Sequence, residues 1–164
     1  MGSAGLGLLA GGAAAHWLRK RINFTGYKRT VAVCFVVHGG AYVLFSQMGH
    51  FGAAMLLMGL SRAAVAISSV LNMSQLLKHV SNEYRGRVFS TLETMTWAMM
   101  MVSMMGAGVA STKYSPRLIG AVAGVLSSTT AIFWVWANWT GRLPEPEAAG
   151  IQRHEVEVHG DPVA

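Results

Sequence analysis

Acidic residues are scarce in this chain, and they avoid its most apolar stretches. Of 164 residues, seven are Asp or Glu and only 12% carry a charge, about half the density of an average globular protein. Five of the seven acids (Glu145, Glu147, Glu155, Glu157 and Asp161) fall beyond residue 144. A soluble domain of this length would lack the charged surface that keeps it dispersed. Cysteine is nearly absent too: Cys34 stands alone, which excludes a disulfide within the chain and leaves the redox compartment unreadable. Inside an apolar stretch, such a residue serves as a small apolar filler. There is no nucleotide-binding glycine loop, nucleophile elbow or catalytic dyad, so an enzyme is not expected. The histidines at 16, 38, 50, 79, 154 and 159 show no ligand spacing with acids or Cys34. Neither a metal nor a cofactor is expected.

What the chain does have is apolar length. Hydrophobic residues make up 52%, with 11 Met and 19 Gly, and glycine is frequent where membrane helices pack closely. A hydrocarbon core about 30 Å thick takes roughly 20 apolar residues to cross as a helix. Runs of that order cover residues 30–47, 51–77, 88–111 and 118–139. Residues 2–15 form a shorter apolar run, about 21 Å long as a helix, which reads as the end of a span or as an interfacial start. The expected fold is all-α: a polytopic membrane helical bundle of four full transmembrane helices plus one partial N-terminal helix. Residues 1–141 form the transmembrane region and 142–164 a disordered, polar tail.

The formal charge of +6 could suggest nucleic acid, but its placement suggests a bilayer. Arg19, Lys20, Arg21, Lys28 and Arg29 share the polar loop 16–29, and Lys78, Arg85 and Arg87 share the loop 78–87. Only Lys113 and Arg117 lie on the other side. Basic loops stay in the cytoplasm during insertion, which puts both of these loops and the C-terminus there. No basic face is interleaved with aromatics as base stacking requires. Trp17 and Tyr27 are placed for the headgroup level, and Trp134, Trp136 and Trp139 for an aromatic girdle.

Ionisable residues inside apolar spans are functional candidates by default. Arg62 lies about 16 Å along its span from Phe51. Ser69 shares its face and Asn72 lies partly round the helix, a stripe suited to a water-filled cavity or to a polar helix contact. Glu93 can exchange a proton or pair with Arg87 or another loop arginine. His38 reads as a hydrogen-bonded packing residue. The methionines 95, 99, 100, 101, 104 and 105 can line an adaptable binding surface or simply pack. Gly120-x-x-x-Gly124 offers a flat face for helix contact.

The most specific string is Ser81-Asn82-Glu83-Tyr84-Arg85-Gly86-Arg87-Val88. Ser81 or Asn82 can cap a helix start, Glu83 suits its positive end, and Gly86 permits a tight turn. Arg85 and Arg87 can reach phosphates or carboxylates on neighbouring loops, or simply enforce orientation. The string resembles the cytoplasmic loop before helix eleven in the major facilitator superfamily, in its bacterial drug- and siderophore-exporter-like branch. The match runs through Glu83, Arg85, Gly86, Arg87 and Val88, and departs at Ser81 and Asn82, where the family has Pro and Asp. Gly12, His16, Gly26, Lys28 and Arg29 look like a stretched form of the family's loop between helices eight and nine.

The resemblance implies a C-terminal fragment, from the end of helix eight through helix twelve, whose missing N-terminal half completes a central cavity. It implies a secondary transporter of the bacterial inner membrane, exporting small-molecule cargo against protons, with Arg62 in the cavity and Arg85–Arg87 latching the cytoplasmic side. Two rivals stand beside it. One is a stand-alone four-helix homodimeric efflux pump relying on Glu93. The other is a membrane interaction module that transports nothing.

Overall fold

A computed structural model describes residues 2–142 and Pro144. These form five helices and, among the described residues, no strand: α1 (Gly2–Leu18), α2 (Phe24–Gln47), α3 (Phe51–His79), α4 (Arg85–Ser111) and α5 (Pro116–Trp139). The expected all-α fold is observed. Three helices, α2, α3 and α5, are long and apolar enough to cross a membrane. That is fewer than the four full spans expected. α4 has the length, at 27 residues, but Ser90, Thr91, Glu93, Thr94 and Thr96 in its first half make it too polar to meet the same standard. The expected tail lies outside the described residues apart from Arg142 and Pro144.

Local chemistry sets the helix ends. Asn23 accepts the Gly26 N–H at 2.8 Å and starts α2, which satisfies one of the donors every helix start leaves open. The polar stretch 16–29 is therefore mostly helical, and only residues 19–23 connect α1 to α2. The expected loop is shorter because α1 runs on to Leu18 and this cap lets α2 begin before its apolar run does. Ser115 accepts the Leu118 N–H, and Pro116, whose missing donor costs nothing there, opens α5. At its far end Gly141 takes a φ of 68°. Arg142 N–H then reaches the Ala137 carbonyl at 3.0 Å and Gly141 N–H that of Asn138 at 3.3 Å, a left-handed closure that glycine adopts without a Cβ clash.

Helices pack as a row: α1 on α3, α3 on α2, α2 on α5. Small residues hold the row together. A Cβ on Gly7 would strike the Gly59 backbone, and one on Gly11 the Ala63 backbone, so Gly7 and Gly11 let α1 lie directly on α3. Gly39 and Gly124 do the same where α2 crosses α5. A Cβ on Gly124 would stand 2.7 Å from the Gly39 carbonyl oxygen, and Gly120 faces Ser46 just beyond. Lipid tails match side chains in polarity, so helix association in a bilayer depends on such close approach more than on hydrophobic exclusion. The core is correspondingly small. Tyr27, Val31 and Leu71 are buried, ringed by Ile22, Phe35, Ile67 and Trp134. Large apolar residues point outward instead, Phe51 at 80% exposure and Leu56 at 77% among them. That surface would be untenable in water but costs little in hydrocarbon.

α4 stands apart. None of its residues is buried, and it meets α5 only sparsely. Its hydroxyls serve themselves: Ser90 and Thr91 donate to the Arg87 carbonyl, Thr94 to that of Ser90, and Thr96 to that of Leu92. Back-bonding of this kind spares a polar side chain from needing a partner on another helix.

Candidate functional site

Arg62 lies three residues from the midpoint of α3. Its neighbour Ser61 is fully buried and pairs with His38 Nδ1 across the α2–α3 contact at 2.7 Å. The Arg62 guanidinium is within electrostatic reach of the same ring. His38 is thus the packing residue expected of it. Arg62 itself is half-buried and, among the described residues, has no hydrogen-bond or ion-pair partner. No helix of the packed row carries an acid: the only carboxylates among the described residues are Glu83 and Glu93. A guanidinium at this depth is costly in hydrocarbon unless water or an anion meets it.

The helical wheel explains why nothing does. Ser61, Ala64, Ser68 and Leu71 are the buried residues of α3. Arg62 sits about 100° round from Ser61, and Ser69, seven residues on, returns to within about 20° of Arg62. Met55 and Met73 share that side, and both are exposed, as is Ser69. The Arg62–Ser69 pair therefore marks an uncovered face of α3.

Asn72 does not belong to this stripe. Its side-chain oxygen accepts the Tyr27 hydroxyl at 2.7 Å, which ties α2 to α3. Tyr27 in turn is buried and meets Trp134 edge-on, with ring centroids 6.1 Å apart. Tyr27 and Trp134 thus take part in a three-helix contact of α2, α3 and α5. Trp17, Trp136 and Trp139 remain exposed, with Arg142 over the Trp136 ring at 4.6 Å.

Glu93 meets no arginine among the described residues. It accepts the Trp97 indole N–H at 3.1 Å, one helical turn on. The string 81–88 also differs in detail. Ser81 and Asn82 cap nothing, because α4 begins only at Arg85, after Tyr84. Gly86 lies in helical backbone, so no tight turn needs it. Glu83 and Arg87 are exposed. Arg85 turns back on α3 and donates to the Leu77 carbonyl at 2.8 Å and the Val80 carbonyl at 3.2 Å. It thereby satisfies carbonyls left open at the end of α3 and places positive charge at that helix's negative pole.

Sequence reasoning missed the His38–Ser61 and Tyr27–Asn72 pairs, since no short-range spacing links residues 23 and 45 positions apart. It also missed Gly7 and Gly11 as a matched pair, although their four-residue spacing was a visible signal. The fold and these sites define a polytopic helical membrane protein. No protein-family model, curated protein or solved structure matches the chain.

Proposed function

We propose that this chain forms one wall of the central cavity of a secondary active transporter, of the major-facilitator kind, exporting small molecules in exchange for protons. The observation that carries this reading is the uncovered face of α3. Arg62 and Ser69 lie together there in the middle of a membrane-spanning helix, with no acid on any packed helix to neutralise the guanidinium. A lipid-facing surface does not tolerate that arrangement, whereas a water-filled cavity between helices does. The nearly unpartnered α4 supports it as well, because a 27-residue helix with no buried residue calls for further helices to seat it. The Arg85–Arg87 string and the one-sided basic loops favour a bacterial cytoplasmic membrane, with the C-terminus inside.

Water access to Ser69 tests this. In a Cys34→Ala background, Ser69→Cys is expected to react with a membrane-impermeant maleimide in native membranes, while Leu56→Cys on the lipid-exposed side stays unreacted. Maleimide needs a hydrated thiolate, so failure of Ser69→Cys to label would refute a cavity at this face.

A further inference from the structure

We propose that the α1–α2 connection and the end of α3 form a binding site for the headgroup of an anionic phospholipid, a phosphate diester carrying a free hydroxyl. This site is separate from the Arg62 face and does not depend on the transport reading. A cavity of about 400 Å³ opens there, lined by Arg19, Lys20 and Lys78 together with Gln75, Leu71 and Ile22. None of the three cations has an anionic partner among the described residues. Like charges converging on one cavity repel, so the arrangement favours an anion held between them. Gln75 adds a more specific signal. Its side-chain oxygen is buried and has no hydrogen-bond donor within the described residues. A buried polar atom of that kind costs stability until it is paired.

Depth selects lipid over solute. α3 has 29 residues and is about 43 Å long by helical rise, against about 30 Å of hydrocarbon. If it is centred, Gln75 through His79 emerge at the headgroup level. Arg19 can grip phosphate oxygens through its planar fork, and Lys20 and Lys78 act as point charges. The headgroup hydroxyl donates to the Gln75 oxygen once that side chain turns out toward the cavity. Leu71 and Ile22 form the apolar floor of the cavity, against the packed core. Basic pockets between membrane helices hold anionic headgroups in this way.

The test uses the full chain in detergent, with lipid binding read by native mass spectrometry and thermal unfolding. Phosphatidylglycerol is expected to bind and raise the unfolding midpoint, while phosphatidylcholine with the same acyl chains does not. Changing Arg19, Lys20 and Lys78 together to Gln is expected to weaken phosphatidylglycerol binding on the order of a hundredfold. Lys113→Gln with Arg117→Gln, which removes charge at the opposite end, is expected to leave it unchanged. Gln75→Leu is expected to reduce the preference for phosphatidylglycerol over phosphatidic acid, which has no headgroup hydroxyl; an unchanged preference would remove the hydroxyl contact. Equal binding of phosphatidylcholine, or wild-type binding by the triple variant, would overturn the site. Full displacement of the lipid by equimolar inorganic phosphate would show that free phosphate, not lipid, is the ligand.

Discussion

The packed row α1–α3–α2–α5 and the solitary α4 are built from similar residues yet behave differently. Both are helical and rich in small side chains. In the row, certain glycines coincide with a neighbour's backbone: Gly7 with Gly59, Gly11 with Ala63, Gly39 with Gly124. In α4, Gly106 and Gly108 meet nothing within 4 Å. Glycine content alone therefore does not make a contact surface. A glycine matters where a second helix needs the space, and in α4 the composition is present without the partner.

Six substitutions, Gly108→Leu and Arg87→Ala among them for comparison, probe that contrast. The largest effect is expected at the α2–α5 crossing, where Gly39→Leu would force the two backbones apart at a cost of about 3 kcal/mol. Gly108→Leu on α4 should shift stability by less than about 0.5 kcal/mol. Thermal unfolding in detergent compares the two directly, and equal losses would mean that α4 is seated after all. Next comes Gly11→Val, expected to cost about 2 kcal/mol by lifting α1 from α3. Hydrogen exchange should report that opening in α1 and not in α5. Arg85→Ala should cost about 1 kcal/mol by uncapping α3, while Arg87→Ala, with an exposed side chain, leaves the midpoint unchanged. If both arginines cost the same, the string owes its stability effect to charge and not to the carbonyls of Leu77 and Val80. Leaving aside the comparison variants Gly108→Leu and Arg87→Ala, the smallest effect belongs to Tyr27→Phe. Losing the bond to Asn72 is expected to cost about 0.6 kcal/mol, the average for a membrane helix hydrogen bond, and a null result would make the ring contact with Trp134 sufficient.

Legibility in the sequence followed range. The helix ends at Gln47, Ser111 and Trp139 coincide with the ends of the apolar runs, because each helix stops where apolar sequence gives way to polar residues. The start of α2 was harder to read. It depends on the Asn23 cap, which lets a helix begin in a polar stretch that hydropathy assigns to a loop. At the candidate site, Arg62 and Ser69 share a face by helical periodicity alone, so that pairing was readable. Periodicity places Asn72 partly round the helix from Arg62, but its partner, Tyr27, sits on another helix, and no spacing within α3 points to it. Gly86 in the sequence suggests a turn, yet its backbone is helical and nothing near it needs a left-handed conformation.

Composition and charge placement, by themselves, determined that hydrocarbon surrounds this protein and that its order is helical, since a nearly uncharged run about 20 residues long has few other stable states. Periodicity likewise determined which residues of α3 travel together. Only the tertiary structure decided which faces are covered: Ser61 against His38, Asn72 against Tyr27, and Arg62 left without a hydrogen-bond or ion-pair partner among the described residues. The physical reason is that a helix's faces follow from 3.6 residues per turn, whereas its neighbours follow from crossings between segments far apart in the chain. Those crossings depend on where two backbones come close enough to touch.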